Sequence, residues 1–267
     1  MNAPADTAHP AAWSTDPYAN ALRTGRGPLF LRRTDGWLLP LDVERWCAGA
    51  DPADLSALRR CEGPVLDVGC GPGRLVAELA AHGHRALGID VSEAAVARTQ
   101  GIGGSALHRS VFDPLPGEGR WGTILLVDGN IGIGGDPHAL LRRAAELLAP
   151  GGLLIAETTV QDVDERVLVR LDDGRGPTAA DGTRPGAPTD TLFPWARLST
   201  AALLRYARQP DWRPFDQWEA DGRPFVALRR SHSARTTSQS ADAANSTPVT
   251  SSQFPRNTSG DSPLADS

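Results

Sequence analysis

The sequence predicts an α/β protein: a doubly wound, mostly parallel sheet with helices on both faces. Three observations carry that expectation. Short, nearly continuous apolar runs alternate with stretches of helical period, the pattern of strands buried on both sides. One such run, Val65-Leu66-Asp67-Val68, passes through the glycine-rich turn Gly69-Cys70-Gly71-Pro72-Gly73 directly into a helix. The last two apolar runs are joined by Ala220-Asp221-Gly222-Arg223, which has hairpin chemistry, so the sheet should finish with an antiparallel edge pair.

Taken in order, Pro64 to Gly69 is the first strand of the repeating part, and Arg74 to His82 follows as a helix with Leu75, Val76 and Leu79 at helical spacing. Ala86 to Asp90 is a second strand. Ser92 caps a helix that runs to about Gln100. Ala106 to Val111 is a weaker strand, and Gly122 to Asp128 a strongly apolar one. Asp136-Pro137 opens a helix through Leu148, with proline at its first position. Gly151 to Thr158 is the fifth strand. A helix over Leu198 to Arg208, capped by Ser199 or Thr200, precedes the closing hairpin, Phe215 to Glu219 and Pro224 to Arg230.

Four segments stand outside this repeat. Residues 1–16 are expected to be a flexible N terminus, and residues 17–60 a cap segment. The cap holds a small helix, a hairpin about Thr34-Asp35-Gly36 and a helix near Asp54 to Cys61. Residues 159–197 form an insertion with a strand at Arg166 to Leu171 and a Gly/Pro-rich stretch from Asp172 to Pro188. Insertions of this kind on an α/β core commonly carry binding lids. From Ser231 to Ser267, 15 of 37 residues are Ser or Thr, so this part is expected to be a disordered tail, and its deletion to be harmless. The triplets Asn245-Ser246-Thr247 and Asn257-Thr258-Ser259 match the glycosylation pattern by chance in such a tract.

Composition excludes several function classes. The chain has 267 residues, and all 27 of its basic residues are arginine against 32 acids, a net charge of -5. A general nucleic-acid binder would show a basic excess instead. No apolar run nears the roughly 20 residues that span a bilayer. The start Met1-Asn2-Ala3-Pro4-Ala5-Asp6 lacks the features of a secretory signal, so a soluble, cytoplasmic protein is expected. Cys47, Cys61 and Cys70 have neither metal-site spacing nor disulfide density, and no metal is expected.

The glycine-rich turn separates two cofactor classes by spacing. A dinucleotide fingerprint, G-x-G-x-x-G, would need glycine at position 74, where Arg74 stands. The turn reads G-x-G-x-G, with Asp67 two residues before Gly69. In this it closely resembles the class I S-adenosylmethionine-dependent methyltransferases, over about residues 60 to 230. The resemblance implies a Rossmann-like, doubly wound seven-stranded sheet, mostly parallel with an antiparallel strand near the C terminus. It implies S-adenosyl-L-methionine as cofactor and methyl transfer as the activity.

The later strands supply the other expected groups. Asp90, 23 residues after Asp67, matches the acid that holds the cofactor ribose, with Val91 beside it. Phe112 and Asp113 match the pair that flanks and meets the adenine, and Asp128-Gly129 the fourth motif, bordering the methionine end and the acceptor. The implied cofactor-binding set is therefore Asp67, Gly69, Cys70, Gly71, Gly73, Asp90, Val91, Phe112, Asp113, Asp128 and Gly129. A positive sulfonium would be favoured electrostatically by Asp67 and Asp128, and its methionine carboxylate by the helix start after Gly73.

The acceptor is less legible. Asp128-Gly129-Asn130-Ile131 departs from the Asn/Asp-Pro-Pro-aromatic signature of enzymes that methylate planar amino groups. With the acidic balance, this points to a small molecule rather than nucleic acid. No catalytic residue is assigned: Glu157, His138 and Asp162 are base candidates, each with a purely structural alternative. Trp37, Trp46, Trp121, Phe193, Pro194 and Trp195 are candidates either for an aromatic lid or for core packing. Arg166, Arg170 and Arg197 could meet an anionic group of the acceptor or lie on a solvated face. Two other functions stay open on sequence alone: a binder of S-adenosylmethionine without transferase activity, and an NAD(P)-dependent oxidoreductase.

Overall fold

A computed structural model describes Trp13, residues 16–174 and residues 191–231 of the chain, all within the unit Met1–Ser233. The tail beyond Ser231, both glycosylation-pattern triplets and most of the Gly/Pro-rich stretch lie outside the described residues.

The main sheet is built from β3 (Val65–Val68), β4 (Ala86–Asp90), β5 (Ala106–His108), β6 (Trp121–Leu126), β7 (Leu148–Glu157), β10 (Trp212–Ala220) and β11 (Arg223–Arg230). Its order is β10-β11-β7-β6-β3-β4-β5. The pairs among β3 to β7 are parallel, and β11 runs antiparallel to both β7 and β10. This is the expected seven-stranded sheet.

Alternation along the strands explains why both faces are covered. Leu66, Val68, Ile124, Leu126, Leu154, Ala156, Val226 and Leu228 face one core layer, against Leu140, Leu141 and Leu203. These last belong to α6 (Pro137–Leu147) and α7 (Thr200–Tyr206). The intervening residues Val65, Leu125, Val127, Leu153, Ile155, Phe225 and Ala227 face the other layer. There they meet Ala53 and Ala57 of α3 (Pro52–Leu58) and Leu75 and Leu79 of α4 (Arg74–Ala81). The helix α5 (Glu93–Gly101) follows β4, capped by Ser92, whose side chain accepts the Ala95 N–H.

The third strand of the repeat is shorter than its sequence suggests. It ends at His108 because residues 110–113 close a turn: the Asp113 carboxylate accepts the Ser110 N–H at 3.0 Å, and the Ser110 hydroxyl accepts the Phe112 N–H.

Strands from the cap segment and from the insertion come together. β1 (Phe30–Arg33), β2 (Leu38–Pro40), β8 (Asp164–Asp172) and β9 (Phe193–Leu198) form one antiparallel sheet, in the order β2-β1-β8-β9. The expected hairpin is β1–β2, with Leu31 opposite Leu39. β9 carries Pro194, which argues against a strand in the sequence, yet it lies at a sheet edge where a missing N–H is tolerated. Two helices complete the N-terminal segment, α1 (Asp16–Thr24) and α2 (Val43–Cys47). α1 buries Tyr18, Ala21 and Leu22 against Leu29, Val43 and Ala95. Trp13, inside the stretch expected to be flexible, packs on Tyr18, Phe193 and Trp195, with ring centroids 5.1–5.7 Å apart.

Candidate active site

The turn after β3 is stitched to the end of β4. The N–H groups of Gly69 and Cys70 donate to the Ile89 carbonyl, and the Gly71 N–H donates to Asp90 Oδ2 at 2.9 Å. Gly69 has a φ of +72°, and a Cβ there would lie 2.7 Å from the Asn130 side chain. Asn130 occupies that space because its Nδ2 donates to the carbonyls of Val68 and Gly69, both at 2.9 Å. At Gly73, φ is +91°, and a Cβ would meet Thr99 at 2.5 Å. Only glycine fits either place.

A cavity opens over this turn. Of the sequence-assigned residues it is lined by Gly69, Cys70, Gly71, Asp90, Val91, Phe112 and Asp128. The other four stand elsewhere. Asp67 is buried within the strand, Gly73 packs behind the turn on Thr99, and Asp113 is exposed and spent on its own turn. Gly129 faces a second cavity. Roofing the first cavity are Tyr18, Trp46, Phe193, Pro194 and Trp195, from the N-terminal segment and β9. Sequence reasoning missed Tyr18: α1 shows its amphipathic period, but nothing local says which strand turn it faces.

Asp90 is buried, and its second oxygen accepts the Ser92 N–H at 2.8 Å. Burial pushes its carboxyl up to about 6 against the opposing pull of the Ser92 and Gly71 N–H groups. Each oxygen keeps a further lone pair. Asp67 is different: its Oδ2 is buried without a hydrogen-bond partner among the described residues. Burial pushes that carboxyl up to about 7, with Arg74 opposing and Asp128, Asp90 and Asp54 adding to the rise. Burial likewise raises the Tyr18 phenol, with Asp90 adding to it, so this group is a neutral hydrogen-bond donor at neutral pH.

Beside the cavity lies a network of charges that the sequence did not disclose. Buried Arg74 donates to both oxygens of Asp54, at 2.7 and 2.9 Å, and to Asp128 Oδ2 at 2.7 Å. Arg223 donates to both oxygens of Glu157, at 2.9 and 2.8 Å, and to Asp54 at 3.0 Å. Arg45 of α2 donates to Asp128 Oδ1. Burial would raise the Asp54 carboxyl, but Arg74 and Arg223 hold it below the ordinary value. The sequence showed Asp54 only as the start of a helix, and in the structure Asp51 and Asp54 form a capping box around Pro52. Their arginine partners come from three separate elements, α2, α4 and β11.

This network corrects two expectations. Asp128 does not present a free negative charge, because Arg45, Arg74 and Arg223 all reach its carboxylate. Glu157 is paired with Arg223 and also accepts the Asp128 N–H, so it is not a free base. His138 packs on Tyr206 with ring centroids 4.7 Å apart and meets Gln209, outside either cavity lining. Asp162 accepts the Ser199 hydroxyl. Among the aromatic candidates, Trp121 is core and donates to the Pro116 carbonyl, while half-exposed Trp37 stacks under Arg197.

A second cavity adjoins the first. Leu31, Leu39, Glu157, Val160, Arg197 and Arg223 are among its walls, and Leu41, Asp128 and Trp195 line both cavities.

Comparison with known proteins decides the family. A family model described as a methyltransferase domain matches residues 44–216. The chain belongs to that family. It is an S-adenosylmethionine-dependent methyltransferase of class I. Among solved structures, it is similar to a SAM-dependent methyltransferase from Bacteroides fragilis in complex with S-adenosyl-L-homocysteine. That match has a TM-score of 0.64 at 17% identity, covering 83% of this chain and 96% of the other. Magnesium protoporphyrin IX methyltransferase from Synechocystis PCC 6803 has a TM-score of 0.53 at 15% identity, covering 86% and 100%. The CcbJ methyltransferase from Streptomyces caelestis has a TM-score of 0.52 at 16% identity, covering 84% and 100%. These likenesses are of fold. No curated protein matches the sequence. Among the described residues, no helix is long and apolar enough to cross a membrane.

Proposed function

We propose that this methyltransferase acts on a small molecule, with S-adenosylmethionine in the first cavity and the acceptor in the second. The observation that carries the proposal is the wall of Leu41, Asp128 and Trp195 common to both cavities. Two molecules bound on either side would meet there.

The residues present suit the cofactor. Asp90 keeps lone pairs for two vicinal hydroxyls, and Phe112 offers an apolar flank for a flat ring. Gly69 and Gly71 leave bare backbone at the cavity floor. The Asp67 carboxyl lies buried in the strand that leads into this floor, and the Tyr18 hydroxyl is a donor at the cavity edge. When bound, S-adenosylmethionine supplies a methyl group activated on a positive sulfur. Trp46, Phe193 and Trp195 exclude water from that end, which strengthens every polar contact inside.

Asp128 and Glu157 are held by arginines, so these two orient rather than abstract protons. Alignment of donor and acceptor then carries much of the acceleration. The four-stranded sheet, made from residues 17–60 and 159–197, acts as the acceptor-selecting lid over the domain of residues 61–230. A net charge of -5 and a second cavity walled by Leu31, Leu39 and Val160 favour a compact, partly apolar acceptor over nucleic acid.

Calorimetry with S-adenosylmethionine, S-adenosylhomocysteine and NADH tests the cofactor, with binding expected for the first two only. Formation of S-adenosylhomocysteine across an acceptor library then tests the transfer. Turnover confined to oligonucleotides would overturn the small-molecule assignment.

A further inference from the structure

Three arginines converge on Asp128, and they are not equivalent. Arg74 is buried and also holds Asp54, and Arg223 also holds Glu157 and Asp51. Arg45 comes from the N-terminal segment, and a quarter of its side chain is exposed. Its remaining neighbours are Asp42 at 3.6 Å, Asp51 at 3.5 Å and Asp54 at 3.8 Å. Apart from Asp42, whose side chain is mostly exposed, the cluster sets Arg45, Arg74 and Arg223 against Asp51, Asp54, Asp128 and Glu157, one acid in excess. Without Arg45 the excess is two, and it falls at the wall where the two cavities meet.

We infer that Arg45 sets the preference of the site between charged donor and neutral product, by masking the charge of Asp128. The inference rests on the first cavity holding S-adenosylmethionine. The donor carries a positive charge on sulfur that S-adenosylhomocysteine lacks, and the two are otherwise alike apart from one methyl. An unmasked Asp128 would hold the charged donor more tightly and leave its product almost unaffected. Tighter binding of the ground state alone does not speed a reaction, and it deepens the well from which the charge must be discharged. Arg45 keeps that well shallow. Because its contacts are electrostatic and partly solvated, and because α1, β1 and Val43 anchor the segment by apolar packing, the fold survives its replacement.

The test is the ratio of dissociation constants for S-adenosylmethionine and S-adenosylhomocysteine, measured by calorimetry on the full chain. In Arg45→Gln the ratio should move toward the donor by about fivefold, the size expected of one partly screened charge. In Asp128→Asn it should move the opposite way, and Arg45→Lys should restore the wild-type ratio. A purely structural role for Arg45 would weaken both ligands together. A ratio within twofold of wild type in Arg45→Gln, in protein that melts cooperatively, overturns the inference. Failure of wild type to bind either ligand would instead overturn the cofactor assignment beneath it.

Discussion

The two cavities are walled by different means. The first is floored by consecutive strand ends of one parallel sheet: a glycine turn, one buried acid on the next strand, one aromatic residue after the third. The second is walled by ion pairs and by a sheet whose strands come from distant parts of the chain, with Phe30 opposite Asp172. A floor built of local units can keep one ligand while the roof varies. Cofactor binding and acceptor choice should therefore be separable by mutation, and the buried part of the charge network between them, centred on Arg74, should matter chiefly to folding.

The largest effect belongs to that network. Arg74→Met would strand Asp54 and Asp128 in a buried setting, and breaking one partner of such a cluster costs about 3–5 kcal/mol. Denaturant unfolding should show a fall of that order, and a fall under about 1 kcal/mol would mean the network is solvated. Next in size is Asp90→Ala. Loss of charge-assisted bonds to the ribose should weaken S-adenosylmethionine and S-adenosylhomocysteine alike by at least roughly tenfold. An effect on acceptor KM alone would erase the distinction between the cavities.

On the other side of the wall, Arg197→Ala should raise acceptor KM about three- to tenfold and leave calorimetric cofactor affinity unchanged, given the usual worth of one polar contact. A separate effect is on pH. Between the ordinary carboxyl value of 3.8 and the folded value of about 7, the folded chain keeps a proton on Asp67 that the unfolded chain releases. Stability should fall as pH rises through that window, and Asp67→Asn should flatten the fall. An unchanged pH profile in that variant would show that Asp67 is ionised and satisfied in the fold.

The same contrast governs what could be read before the structure. β3, β4 and their helices were legible because hydrophobic alternation, caps and the turn after Val68 are all local. Asp90 was legible for the same reason, being the last residue of its strand. Asp113 was misplaced because its carboxylate bonds back to Ser110, a short-range choice that the sequence also allows for a ligand contact. Tyr18, Arg45 and Arg223 were invisible as site residues, since the site acid each one faces lies at least 65 positions away in the chain. β9 was hidden by Pro194, whose tolerance depends on the strand being an edge, a property of the sheet rather than of the segment.

The central claim is that donor and acceptor meet across the wall of Leu41, Asp128 and Trp195. A crystal structure with S-adenosylhomocysteine bound tests it most directly. The ribose hydroxyls should lie on the Asp90 carboxylate and the sulfur should face that wall, with the second cavity open beyond it. A sulfur directed away from Asp128 and Trp195, or a cofactor lodged in the second cavity, would contradict the account.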